Sequence, residues 1–208
     1  KKSSMLKKGD LIASPKYIDL ETETVYDEDD AYFLGLFVAE GTHNPFSISI
    51  SEEKIKDWVC KYINKKFDYQ PTVRKREING KLSCYTILLR NNTRIIMDGL
   101  DKCNASDKFI PEGIFLSKKE IISSFIGGYF DGDAEVSHRD ISVTTKSNRL
   151  ATQLTYLLLR LGISATLRER TAGLKNEKFK VVRIVGEDRE KLKDINMKLK
   201  KFDASISS

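Results

Sequence analysis

Two acids stand at the ends of two similar segments. Residues 33–41 read FLGLFVAEG and residues 126–134 read IGGYFDGDA. Each segment is apolar, carries small residues at helical spacing, and has a carboxylate as its last residue but one. The acids are Glu40 and Asp133, and 133 − 40 = 93. Gly35 and Ala39 are four apart, as are Gly128 and Gly132, so each pair shares one helix face. Small residues on that face let two backbones approach closely, bringing both helix ends and both acids side by side. Two carboxylates held close about a pseudo-twofold axis form an oxygen-rich site for a hard divalent cation such as Mg²⁺.

The elements that must position this pair also recur. At an offset of 93, Ile48-Ser49-Ile50-Ser51 lands on Ile141-Ser142-Val143-Thr144, Leu88-Leu89-Arg90 on Val181-Val182-Arg183, and Lys108-Phe109 on Lys201-Phe202. No gap is needed for these matches. Two such units make a pseudo-symmetric pair, whereas a solenoid needs at least three. Each half reads as an apolar helix (about 30–39 and 120–132), then a β-branched strand (46–51 and 140–145). An amphipathic helix follows, with Ile55, Trp58, Val59, Tyr62 and Ile63 on one face, and Leu150, Leu154, Leu157, Leu158 and Leu161 in the second half. A hairpin comes next, turning at Asn79-Gly80 in the first half and through a longer turn with Gly173 in the second. A short polar helix closes each half. The expected fold is α+β with antiparallel strands. The expected divisions are an N-terminal extension (1–29), a first repeat (30–110) and a second (111–208), with Pro111 and Gly113 at the join. Leu11-Ile12-Ala13 suggests a short strand, and Glu21–Asp30 an acidic linker.

Composition bounds the partners. The 208 residues carry 36 Lys and Arg against 30 Asp and Glu, a net charge of +6 that suits an anionic partner. No apolar run approaches the roughly 18 residues of a membrane span, and no signal-peptide pattern opens the chain, so an intracellular site is expected, cytoplasmic in a prokaryote or organellar. Cys60, Cys84 and Cys103 are odd in number and lack metal-ligand spacing, and read as small buried hydrophobes in a reducing compartment. The histidines, His43 and His138, are not equivalent at the offset of 93 and make no zinc constellation with them.

Both acid-bearing segments resemble the LAGLIDADG motif of homing endonucleases, and the resemblance spans roughly residues 30–202. It implies two pseudo-symmetric αββαββα halves packed through the motif helices, with Gly35 and Gly128 in the interface and the sheets forming a DNA-binding saddle. The acid in the eighth motif position holds the catalytic Mg²⁺ or Mn²⁺, here Glu40 and Asp133, with Ala39 and Gly132 in the expected metal set. The sequence departs from the motif at Val38, where the consensus has an acid, and at Ala134, where it has Gly and where the turn after Asp133 is therefore in question. The family also implies a basic residue near each scissile phosphate. Lys108, in KFIP, stands at that place, and the 93-residue offset carries it to Lys201. Such a cation stabilises developing phosphorane charge or lowers the pKa of a water. Lys146, in VTTKSN, is a secondary candidate.

Strands alternate their faces, so Thr72, Arg74 and Arg76 share one face, and Thr166, Arg168 and Arg170 the equivalent one. Lys81, Ser83 and Tyr85 extend the first set, Lys178 and Lys180 the second, and Arg139 and Lys146 complete the expected DNA contacts. An antiparallel ribbon fits the major groove, where Arg pairs with guanine and Lys or Arg with phosphate. The halves are not identical, so the duplex target is expected to be asymmetric and the enzyme monomeric. The segment LKKGDLIASPKYIDL resembles the join between an intein splicing domain and its endonuclease, yet residue 1 is not Cys or Ser and the chain ends in Ser-Ser, so splicing by the chain itself is not expected. The competing expectation is a catalytically silent nucleic-acid-binding member of the family, an RNA maturase or a transcription regulator.

Overall fold

Two helices that are apolar nearly all round form the centre of the molecule. The computed structural model describes residues 25–78, 81–137, 139–172 and 176–199, together with Lys7. Helix α1 (Glu28–Glu40) is buried from Asp30 to Val38, and helix α4 (Lys119–Asp133) carries a buried run from Ser124 to Asp131. A helix without a polar face must be enclosed, and each encloses the other. Part of the expected acidic linker is the first turn of α1. The Asp27 carboxylate caps it by accepting from Asp30 N at 2.7 Å, and Glu28, Asp29 and Asp30 complement the helix dipole.

Each half adds a four-stranded antiparallel sheet. Strands β1 (Gly41–His43), β2 (Phe46–Ile50), β3 (Thr72–Ile78) and β4 (Lys81–Leu88) pair in the order β1-β2-β4-β3. Strands β5 (Glu135–Val136), β6 (Asp140–Thr145), β7 (Thr166–Ala172) and β8 (Glu177–Val185) pair as β5-β6-β8-β7. Helices α2 (Glu53–Phe67) and α5 (Asn148–Arg160) cover one face of each sheet, and a short helix α3 (Glu112–Phe115) precedes α4. The edge strands β1 and β5, at three and two residues, are too short to show a period in the sequence. The polar closures of the halves are 3-10 turns, Asn91–Ile96, Leu100–Lys102 and Gly186–Asp194. The three cysteines are half-buried.

The register corrects the ungapped offset. In α2 the residues Ile55, Val59, Tyr62 and Ile63 are buried, and in α5 Leu150, Leu154, Leu157 and Leu158, each 95 positions on (150 − 55 = 95). Ile48 pairs with Ile87 in the first sheet and Val143 with Val182 in the second, again 95 (182 − 87 = 95). The offset of 93 holds through the motif helices, and the β5–β6 hairpin then inserts two residues. Thr72 pairs with Leu88 and Thr166 with Arg183, so Arg183 corresponds to Leu88, not to Arg90. The stretches 1–6, 8–24 and 200–208, with the expected strand at Leu11–Ala13, lie outside the described residues.

Candidate active site

The close approach of α1 and α4 is made by glycine. A Cβ on Gly35 would stand 2.1 Å from the Phe125 carbonyl oxygen, and one on Gly128 would stand 2.0 Å from that of Tyr32. The contacts mirror each other, since 128 − 35 = 93 and 125 − 32 = 93. A Cβ on Gly132 would meet the Ala39 Cβ at 2.5 Å. The helices therefore touch at backbone distance down to their last turns, where Glu40 and Asp133 sit. The turn after Asp133 is unaffected by Ala134: Gly41 has φ −77° and Ala134 φ −78°, both extended, so no residue without a side chain is required on that account.

Both acids are half-buried, and Lys108 lies with them. Its ammonium donates to the Ala39 carbonyl at 3.0 Å, and its own carbonyl accepts from Ser147 Oγ, the cap of α5, at 2.6 Å. Burial pushes the Asp133 carboxyl up to about 6, with the charge of Glu40 adding to the rise and Lys108 opposing it. Burial pushes Lys108 down, against the pull of Asp133 and Glu40. Tyr129 donates to Asp133 at 3.4 Å. A cleft of about 440 Å³ opens here, between Glu40, Thr42, His43, Ser49, Cys103 and Lys108. A larger cavity of about 600 Å³ lies at the opposite ends of the helix pair, beside Glu28 and Lys119, and neither acid lines it.

Among the described residues no three His, Cys, Asp or Glu side chains gather as a metal cage. A hard cation of the Mg²⁺ type takes one or two carboxylates and completes its shell with water and phosphate oxygens, so Glu40 and Asp133 would be the protein's acidic ligands to one. The carbonyls of Ala39 and Gly132 are helix-end oxygens beside the acids, and Ala39's is shared with Lys108. The raised pKa of Asp133 has a measurable consequence. Its charged form is disfavoured in the folded state, so stability is undiminished below about pH 4 and is lost as pH rises through about 6. We expect Asp133→Asn to stabilise the protein in EDTA at pH 7.5 by roughly 2–3 kcal/mol, since each tenfold change in proton affinity is worth about 1.4 kcal/mol. Thermal unfolding at pH 7.5 and pH 4 checks this: a gain of the same size at both values would exclude charge burial as its cause.

The outer sheet faces carry Arg74 and Arg76, opposite Thr86 and Cys84, and Arg168 and Arg170, opposite Val181 and Phe179. All four arginines are exposed. Lys178 and Lys180 do not join that face. They lie opposite Thr171 and Glu169, one step out of phase, and pair with Glu169 at 3.1 and 2.9 Å. Tyr85 is likewise on the helix side, buried opposite Lys75. Its hydroxyl reaches Glu53 at 3.4 Å. A bulge at Arg76/Glu77 interrupts the ladder beside Ser83, which is exposed. Lys81 pairs with Ile78, its side chain lying outside the described set. Arg139 is exposed in the β5–β6 turn. Lys146 pairs with Glu177 at 2.8 Å and sits over the Phe179 ring. Lys201 and His138 are outside the described residues. In the described part of the closing segment, Lys198 turns its ammonium onto the Tyr32 and Trp58 rings, at 4.5 and 4.6 Å.

Asp131, in the motif position where the first half has Val38, has a role the spacing did not suggest. It is buried, accepts from Tyr32 OH at 2.6 Å and from Lys198 N at 2.7 Å, and so ties α4 to α1 and to the closing segment. In the sequence this position stands out only because Val38 lacks the consensus acid there, and nothing in the spacing indicates the partners of Asp131.

Residues 120–197 match the family model of a LAGLIDADG-like domain. The fold is similar to that of I-DmoI in complex with DNA and Mn, with a TM-score of 0.58 at 14% identity, covering 82% of this chain and 97% of that one. It is similar too to the homing endonuclease I-WcaI bound to its DNA recognition sequence, with a TM-score of 0.55 at 11% identity, covering 83% and 82%. Among curated proteins, the chain is 29% identical over 187 residues to a replication factor C small subunit of Methanocaldococcus jannaschii, covering 86% of this chain and 10% of that protein. It is 27% identical over 193 residues to a component of the A-type ATP synthase of Pyrococcus abyssi, covering 82% and 19%. The chain thus spans less than a fifth of the length of these relatives.

Proposed function

We propose that this chain, a member of the LAGLIDADG family with both motifs in one polypeptide, is a site-specific endonuclease that hydrolyses double-stranded DNA with divalent metal ions. The observation that carries the reading is the pair Glu40 and Asp133 on abutting helix ends, with Lys108 beside them. Residues 30–110 and 111–208 would serve one half-site each. Glu40 and Asp133 hold the cation, with the Ala39 and Gly132 carbonyls as neighbouring oxygens. A divalent ion bound there supplies Lewis acidity at the scissile phosphate and lowers the pKa of a water. Asp133 must be ionised to bind it, and Lys108 is the cation that opposes its protonation. Lys108 also places positive charge where the phosphate gains negative charge in the transition state. The exposed arginines of the outer faces contact the duplex.

The relatives support a homing role. A replication factor and an ATP synthase share no activity by name, yet a component of each contains a stretch like this one, and that stretch is a small part of it. A segment that recurs in unrelated hosts behaves as a mobile insertion, intein- or intron-borne, and a sequence-specific break in DNA is the chemistry that spreads one.

The test is a Mg²⁺-dependent cleavage selection from a randomised duplex library, beside an Asp133→Asn/Glu40→Gln control. A discrete cut population that vanishes in the control is expected. Enrichment by binding with no cutting in Mg²⁺ or Mn²⁺ would give the chain to the silent nucleic-acid-binding class. Binding should also weaken steeply with salt, each phosphate-paired Lys or Arg adding about 0.9 to the log–log slope. Arg170→Ala should reduce the steepness of that slope by about 0.9 in a titration of affinity against salt; an unchanged slope would take Arg170 off the phosphates.

A further inference from the structure

The two sheets carry matching rows of residues across their outer faces, and the rows differ where it matters for reading bases. In the first sheet the register aligns Thr42, Ser47, Leu88 and Thr72. In the second it aligns Glu135, Ser142, Arg183 and Thr166. Ser142 matches Ser47 and Thr166 matches Thr72, but Glu135 stands where the first half has Thr42, and Arg183 where it has Leu88. The Arg183 side chain is about one-third exposed (34%). It is not a loose cation. The Asp140 carboxylate grips its Nε through Oδ2, diagonally across the β6–β8 pair and on the same face. The other Asp140 oxygen is fixed by Ser137 Oγ, a hydroxyl that also accepts from the backbone N of Asp140 at 3.0 Å and of Arg139 at 3.2 Å. Ser137 and Arg183 together hold the Asp140 carboxyl below its usual range, so the clamp stays charged. Among the described residues, neither terminal amino group of the guanidinium has a partner. A guanidinium fixed at Nε, with its terminal donors free on a nucleic-acid-facing sheet, is pre-organised for the two acceptors of a guanine edge. Leu88, at the matching position, offers no donor.

We propose that Arg183, positioned by Asp140, reads a guanine in the half-site served by residues 111–208, and that the other half-site has no guanine requirement at the matching position. This rests on the DNA-directed reading above. Asp140 is a positioning residue and touches no base.

The experiment is a binding selection from a randomised duplex library in Ca²⁺, without cleavage, for the wild type, Arg183→Ala, Arg183→Lys and Asp140→Asn, each checked for its unfolding temperature. We expect a guanine preference of about 5- to 150-fold at one position of one half-site, the range for one bidentate pair. It should be lost in Arg183→Ala, reduced in Arg183→Lys, and reduced in Asp140→Asn at that position alone. A uniform loss of affinity in Arg183→Ala, with every base preference kept, would make Arg183 a phosphate contact and overturn the proposal. Unchanged preferences and affinity would make the pair a surface staple and overturn it equally. A wild type that enriches no duplex would instead defeat the DNA-directed reading itself, and Arg183 with it.

Discussion

On the proposed function, Asp133→Asn should abolish double-strand cleavage, by at least about 1,000-fold, while changing the affinity for the cognate duplex by no more than about threefold. The factor corresponds to about 4 kcal/mol of transition-state stabilisation, reasonable for removing one of two protein carboxylates from the metal's shell. Asparagine keeps the shape, the Tyr129 contact and the helix end, but has no negative oxygen for a hard cation. Affinity should be spared because, on that reading, the exposed arginines of the outer sheet faces contact the duplex and the acids do not. Unfolding cannot account for the loss, since the same substitution is expected to stabilise the metal-free protein above pH 6. Glu40→Gln should behave alike. Cleavage rates under excess enzyme, with binding measured in Ca²⁺, decide the matter. A fall in affinity as large as the fall in rate would remove Asp133 from the metal and leave it a structural acid.

Much of this site is legible in the sequence because its parts are periodic. Gly35 with Ala39, and Gly128 with Gly132, fall on helix faces by spacing alone, and the acids that follow them must then converge. The hairpin strands 72–78 and 81–88 follow from alternation and from Asn79-Gly80. What alternation does not give is phase across a turn. Lys178 and Lys180 alternate with Phe179 and Val181, and only the cross-strand register decides which set faces outward. It sends the lysines to Glu169 on the helix side and leaves Phe179 and Val181 with Arg170 and Arg168. Tyr85 departs from expectation for the same reason: counted from Lys81 it lies outward, but the bulge at Arg76/Glu77 lies between and shifts the phase by one.

Insertions are invisible for a related cause. The offset of 93 rests on matches in helices and in short Ile/Val-rich strands, and such strands match one another in several registers. Two extra residues in a hairpin turn leave every apolar pattern intact while moving the counterpart of Leu88 from Val181 to Arg183. Side-chain partners made at long range, such as Asp131 with Tyr32 and Lys198, or Asp140 with Arg183, leave no spacing signal at all. They are the contacts by which two similar halves become different.

Gly128→Leu should cost the protein at least about 4 kcal/mol, because the obstacle is backbone. Overpacking a core by a few methylenes typically costs about 1–3 kcal/mol where side chains can shift. Here a Cβ would stand 2.0 Å from the Tyr32 carbonyl oxygen and 2.9 Å from its carbon, so α1 and α4 themselves must part. At about 2–4 °C per kcal/mol for a chain of this size, the unfolding temperature should fall by roughly 8–16 °C. Even Gly128→Ala should destabilise, although alanine gains about 1 kcal/mol in helix propensity. Shortening the opposite side chain, as in Tyr32→Ala, should not rescue either variant, since the clash is not with the ring. Gly132 is the contrasting case. There the neighbour is the Ala39 Cβ at 2.5 Å, so Ala39→Gly should recover much of what Gly132→Ala loses, in a double-mutant cycle followed by thermal unfolding. The same cycle reads function, because the contact at Gly132 and Ala39 sets the spacing of the residues that follow them, Asp133 and Glu40. Cleavage should return with stability in the compensated pair. Recovery of stability without cleavage would mean that the helix ends must meet in one geometry only, and rescue of Gly128→Leu by Tyr32→Ala would mean that the backbones are not in contact at all.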